Sequence, residues 1–171
     1  HGVHRHAAFP ALSANRNIAI GTGVFIFVLD QVTKVIIVHW MNLKSVGAID
    51  VLPPFLNLRM AWNRGINFGL FANDGDIMRW TLIALALMIS AWVVWWINRE
   101  GGNRWAMISA GLLVGGALGN VVDRVLYGAV ADFLNMSCCG IDNPYAFNVA
   151  DISIFIGAVG LIAFTGEKKS A

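Results

Sequence analysis

Four stretches of this chain are apolar for long enough to cross a lipid bilayer, and no other feature restricts its possible folds as tightly. They are Ile18–Trp40, Ile77–Ile97, Trp105–Tyr127 and Val149–Thr165. A hydrocarbon core about 30 Å thick takes roughly 20 helical residues, and a helix satisfies its backbone polar groups without help from water. The rest of the composition agrees, with 57% hydrophobic and 13% charged residues where a soluble domain carries about 25% charged. The expected fold is therefore an all-α membrane protein, one domain over 1–171 with four transmembrane helices at 18–40, 77–97, 105–127 and 149–165.

Residues 1–17 form a tail whose first part, His1 to His6, lacks an initiator Met and reads as a tag remnant. The first span is not a cleavable signal peptide, because its apolar run is too long and carries Asp30, Gln31 and Lys34. Trp40, Trp80, Trp95, Trp96 and Trp105 fall near span ends, at the headgroup depth that indole rings prefer. Arg5, Arg16, Arg99, Arg104, Lys168 and Lys169 flank the spans on one side, which predicts cytoplasmic termini. Residues 41–76 and 128–148 then lie outside.

Within 41–76, Leu56, Leu58, Met60 and Trp62 alternate with Asn57, Arg59, Ala61 and Asn63, the period of a strand with one apolar face. Pro53 and Pro54 bar a helix just before it. A small β element lying on the outer membrane surface follows. In the third span, Gly111, Gly115 and Gly119 recur every fourth residue and offer a groove for a neighbouring helix; Ser153 and Gly157 repeat the device in the fourth.

Some classes fall away. The basic residues form no tract that would follow a phosphate backbone, so nucleic acid is not a partner. Cys138 and Cys139 are adjacent and read as two free thiols. His39 stands alone without a His-Glu-x-x-His pattern, so neither a metal nor another cofactor is expected.

Ionisable residues inside a span are costly and are usually paired or functional. Asp30 and Lys34 lie four apart on one helical face and suit a pair. Asn120, Asp123 and Arg124 make a polar patch in the third span. Asp132, just past that span, and Asp151, just inside the fourth, have no local cation, and a hairpin of the two spans brings them to one depth. Two close carboxylates share a proton, which provides an acid and a base at one pH. Spacing alone fits solvated loop acids as well.

In order along the chain stand Asp30-Gln31-Val32-Thr33-Lys34, Asn63-Arg64-Gly65-Ile66-Asn67-Phe68-Gly69, Gly116-Ala117-Leu118-Gly119-Asn120 with Asp123-Arg124, Val130-Ala131-Asp132-Phe133, and Phe147-Asn148-Val149-Ala150-Asp151. Together they resemble signal peptidase II, the bacterial lipoprotein signal peptidase. The resemblance implies an aspartic endopeptidase of the bacterial inner membrane, with its active site near the outer face. It would cut a prolipoprotein just before a diacylglyceryl-modified cysteine, without a cofactor. It further implies Asp132 and Asp151 as the catalytic pair, Asn63, Gly65, Asn120, Arg124 and Asn148 as substrate-binding, and Asp30, Lys34 and Asp123 as polar support. Membrane lipids and a cyclic peptide inhibitor of the globomycin type are the other implied partners. The chain departs from the family at Arg64, where a small polar residue is common, and at Asn67, where a small one is.

Other classes remain open on the residues alone. Intramembrane Asp, Asn and Arg also suit an ion-coupled transporter, although the chain shows no inverted repeat. A non-enzymatic membrane assembly factor is a further reading. Within peptidases, Ser153 with Lys34 is a rival nucleophile and base, disfavoured because positions 151 and 153 lie about 200° apart on a helix.

Overall fold

The computed structural model describes residues 9–65 and 75–166. Helix α1 (Phe9–Lys34) starts before Ile18 and continues as a π-type segment, Val35–Trp40. A short helix α2 (Leu43–Val46) follows, then strands β1 (Ala48–Leu52) and β2 (Leu56–Asn63). Helices α3 (Gly75–Glu100) and α4 (Arg104–Tyr127), strand β3 (Val130–Asn135) and helix α5 (Val149–Thr165) complete the order. Among the described residues three helical segments are long and apolar enough to cross a membrane: Ala14–Trp40, Gly75–Glu100 and Arg104–Tyr127. The fourth, α5, is as apolar but has 17 residues. Arg5, Ile66, Asn67, Phe68, Gly69, Lys168 and Lys169 lie outside the described residues.

Helix α4 is the most buried of the three long segments, and its glycines explain why. A Cβ on Gly111 would sit 2.6 Å from the Ala19 carbonyl oxygen, while one on Gly115 would collide with the Gly23 backbone. On another face, a Cβ at Gly116 would lie 2.7 Å from the Ala150 carbonyl oxygen. The expected groove exists, with α1 in it and α5 on the face beside it. Gly157 of α5 returns the contact, its missing Cβ leaving room for the Leu113 amide. Phe25, Met88, Phe155 and Ile162 point outward and are exposed, as side chains solvated by lipid would be.

The sheet has the order β1-β2-β3, antiparallel throughout. Strand β2 has the predicted bounds, but β3 was not anticipated inside 128–148. The face assignment of β2 also needs correction. Leu58 and Met60 pack on Val38, Leu43, Ala131 and Phe133 instead of meeting a membrane surface. The register shifts between Leu58 and Ala61, so Trp62 is exposed while Asn57 is buried. A bulge of this kind breaks strict alternation.

Cys138 and Cys139 are joined in a vicinal disulfide, which corrects the expectation of two free thiols. Cys139 adopts a left-handed backbone, φ 62°, in a tight turn closed by the Ile141 N–H on the Cys138 carbonyl at 2.9 Å. That turn brings neighbouring side chains together.

Candidate active site

After Tyr127 the chain reverses through Gly128, whose φ of 74° closes α4, and β3 then carries Asp132 into the protein. Asp132 is 3% exposed. It lies beside β2 because Ala61 pairs with Asp132 and Asn63 with Val130, which brings the Asn63 side chain within reach. From the other direction, α5 starts at Asn148 with a reciprocal cap. Asp151 N–H donates to Asn148 Oδ1 at 2.8 Å, and Asn148 N–H donates to Asp151 Oδ2 at 3.2 Å. The cap satisfies two orphan donors of the helix start and fixes the Asp151 carboxylate at the same time.

The four carboxylate oxygens of the pair each accept one hydrogen bond from an asparagine. Asn148 Nδ2 donates to Asp132 Oδ1 at 2.9 Å and Asn63 Nδ2 to Asp132 Oδ2 at 3.2 Å. Asn120 Nδ2 donates to Asp151 Oδ1 at 3.2 Å, and the Asn148 main chain takes the fourth oxygen. Asn148 Nδ2 also approaches Asn120 Oδ1 and the Ala131 carbonyl. Neutral amides orient a carboxylate without neutralising it, so acid–base capacity survives. Burial, and next the negative charge of Asp151, push the Asp132 carboxyl up to about 7, against the Asn63 hydrogen bond and the charges of Lys34 and Arg124.

One cation, Lys34, pairs beside this network. Lys34 Nζ lies 2.7 Å from Asp30 Oδ2 and 2.8 Å from Asp123 Oδ2, and also approaches Asn120 Oδ1 at 3.4 Å. Asp30 Oδ1 accepts the Ala150 N–H at 3.0 Å, and Asp123 Oδ2 accepts the Ala131 N–H at 3.1 Å. Each buried acid thus grips the peptide one residue before a member of the aspartate pair. Gln31 ties the two acids together, its Nε2 donating toward Asp30 Oδ2, Asp123 Oδ1 and the Gly119 carbonyl.

All ten residues singled out from the sequence are described, and nine join this cluster. Asn63, Asn120, Asn148, Asp132 and Asp151 form one half of it, and Asp30, Lys34 and Asp123 the other. Arg124 stands close enough for its charge to act on Asp132, and its Nε is buried with no hydrogen-bond partner among the described residues. Among the described residues Gly65 reaches the site through Asn63, donating its N–H to Asn63 Oδ1 at 2.9 Å. Its φ of 123° suits glycine, and a Cβ there would strike Leu82 and Met78 of α3. Ser153 donates to the Leu112 carbonyl at 2.6 Å and has no contact with Lys34, whose ammonium is taken by the two acids. Gln31 was noted inside the first span and within a motif but was given no role. Its place in the first span beside Asp30 was the available signal.

Comparison with known proteins adds an independent line. The chain matches the family described as signal peptidase (SPase) II over residues 22–165. It is 40% identical over 148 residues to the lipoprotein signal peptidase of Methylobacterium sp., covering 86% of this chain and 88% of that one. It is 41% identical over 143 residues to the lipoprotein signal peptidase of Ralstonia nicotianae, covering 84% and 80%. Two bacterial membrane enzyme structures obtained by the in meso method superpose with TM-scores of 0.71 and 0.73. Their identities are 30% and 32%, over 89% and 90% of this chain and 89% and 94% of theirs. On the family match and these identities, the chain belongs to the signal peptidase II family.

Proposed function

We propose that this chain is an aspartic endopeptidase that removes the signal peptide of diacylglyceryl-modified prolipoproteins, cutting just before the lipidated cysteine. The observation that carries the reading is the bridging of Asp132 and Asp151 through Asn148, with all four oxygens held by uncharged donors. One carboxylate takes a proton from water as its oxygen attacks the scissile carbonyl carbon. The other, protonated, donates to the carbonyl oxygen, and a tetrahedral diol forms without a covalent enzyme intermediate. Collapse breaks the C–N bond, and the cysteine nitrogen leaves with a proton from the pair. An Asp132 carboxyl near 7 suits the protonated partner at neutral pH.

The site's position supports the same reading. Arg16, Arg99 and Arg104 cluster at one end of the helices, and the aspartates stand at the other. By the bias of cytoplasmic loops toward Lys and Arg, all four helices span the inner membrane with cytoplasmic termini and the aspartates near the outer face. Helix α5 has 17 residues, about 25 Å of axis, short of a core of about 30 Å. Asp151 in its first turn therefore sits below the headgroups. There a peptide bond next to a lipidated cysteine can reach the pair while its acyl chains stay in lipid. Asn63, Gly65, Asn120, Arg124 and Asn148 line the substrate groove in this reading, and a cyclic peptide of the globomycin type occupies the same groove.

The test is to incubate purified protein with a lipidated prolipoprotein and identify products by mass. Two fragments split before the modified cysteine, lost in Asp132→Asn and in Asp151→Asn, are the expected result. Intact substrate with the parent protein would sink the reading.

A further inference from the structure

Arg79 sits near the start of α3, yet its guanidinium turns toward α4. Its Nε donates to the Arg124 carbonyl and its Nη2 to the Val125 carbonyl, both at 2.6 Å. These carbonyls belong to the last turn of α4, where the helix runs out of its own amide donors and its dipole favours a cation. The Gly128 N–H shares the Arg124 carbonyl at 3.0 Å. A Cβ on Gly128 would touch the Arg79 guanidinium at 4.0 Å, so the fork lies over the chain reversal itself. The nearby acid, Asp76, stands 3.8 Å from Nη1 and is 82% exposed, too weak a pair to account for the placement.

That reversal separates two parts of the site. Arg124 is in the last turn of α4, and Asp132 follows on β3. Among the described residues the Arg124 guanidinium makes no hydrogen bond, and its buried Nε is unsatisfied. What Arg79 holds is the Arg124 backbone, the root from which that guanidinium extends toward Asp132. A lysine could offer only a point charge where the guanidinium offers parallel donors to two acceptors.

We propose that Arg79 is a positioning residue for the aspartate pair: by forking across the last turn of α4 it fixes the Arg124 guanidinium relative to Asp132. The proposal rests on the reading that Asp132 and Asp151 perform the cleavage. The charged groups acting on Asp132 are Asp151 on α5, Lys34 on α1 and Arg124 on α4. Releasing the α4 terminus moves Arg124 and leaves the anchored Asp151 and Lys34 in place.

The experiment compares parent, Arg79→Gln, Arg79→Lys and Asp132→Asn as purified full chains on a lipidated prolipoprotein, with kcat, KM and pH profile measured for each. Misplacement on the scale of 1 Å costs about 10²-fold in rate. Arg79→Gln is expected to lose kcat on that order with KM nearly unchanged. Its alkaline limb should move to higher pH, because Asp132 loses the field of Arg124. Arg79→Lys should recover part of the rate and part of the limb position. A folded Arg79→Gln with parent kcat and pH profile, beside an inactive Asp132→Asn, overturns the positioning role. A loss of folded protein whose remaining molecules keep the parent profile overturns it too. If Arg79→Gln does not accumulate, Arg79→Lys decides alone, and a parent-like kcat and profile there overturns the proposal. An active Asp132→Asn overturns the underlying assignment, whatever the Arg79 variants do.

Discussion

Asn148 Nδ2 lies 2.9 Å from Asp132 Oδ1, so the residue that caps α5 also holds an acid on a different element. Its main-chain N–H reaches Asp151 at 3.2 Å, and one asparagine thereby sets the separation of the pair. Asn148→Ala keeps the main-chain contact but releases Asp132 and the side-chain half of the cap. The cap alone is worth about 1 kcal/mol, a loss the fold should survive. The rate should fall about 10²-fold from misplacement, read as kcat on purified, folded protein. Ser153→Ala, which removes a hydroxyl that among the described residues donates to the Leu112 carbonyl, should retain activity. Parent-like turnover in Asn148→Ala would show that the bridge is ornamental.

The Asp132 carboxyl, raised to about 7, makes a prediction about stability with a definite sign. Its proton is held more tightly in the folded state than in the unfolded one, where a carboxyl titrates near 3.9. The folded protein is favoured below that value, and the advantage is lost as pH rises toward 7. Asp132→Asn cannot ionise and escapes the loss. It should be inactive yet more stable than the parent at pH 8, by on the order of 1–3 kcal/mol, with the difference closing toward pH 4. Tryptophan fluorescence during thermal unfolding in detergent measures this. A variant less stable than the parent at pH 8 would contradict the burial argument.

Activity should follow the same group. If the pair needs the proton on Asp132, kcat/KM falls above about 7 as that carboxyl ionises. Rates that stay flat from pH 6 to pH 9 would remove Asp132 from the acid role.

Gly119 tests the buried support independently of the chemistry. A Cβ there would collide with the Asp30 carboxylate, which holds both Lys34 and the Ala150 amide. Overpacking of this kind costs about 1–3 kcal/mol, so Gly119→Ala should lower thermal stability and activity together. Gly21→Ala in α1, where a Cβ meets nothing within 4 Å, should be silent. Equal effects from the two changes would refute the packing account.

The vicinal disulfide offers a topology test. Cys138 and Cys139 are exposed on the aspartate side of the molecule. After mild reduction of intact spheroplasts, an impermeant thiol reagent should label the chain, and a cysteine-free variant should stay unlabelled. Labelling that appears only once the membrane is opened would invert the proposed orientation.

The membrane character and the helix pairing were readable in the sequence because each has a local cause, whereas Asp132 and Asp151 were set apart from solvated loop acids only by the family resemblance. Apolar length marks the helices, the four-residue glycine spacing marks where α1 approaches α4, and the spacing of Asp30 and Lys34 marks their ion pair. Strand β2 was readable from alternation, since a period of two needs no partner to be seen. Strand β3 was not, because Val130–Asn135 is a short run buried along nearly its whole length, and burial on both faces erases the alternation. The face of β2 was misjudged for a related reason. A bulge between Leu58 and Ala61 is a property of the pairing with β3, which does not exist until both strands meet. The disulfide likewise depended on the left-handed turn at Cys139. Most of all, the sequence named Asn63, Asn120 and Asn148 without assigning their partners. Four carboxylate oxygens each receive a neutral donor only after β2, α4 and α5 converge. Hydrogen bonds act over about 3 Å, and residues tens of positions apart reach that range only through tertiary structure.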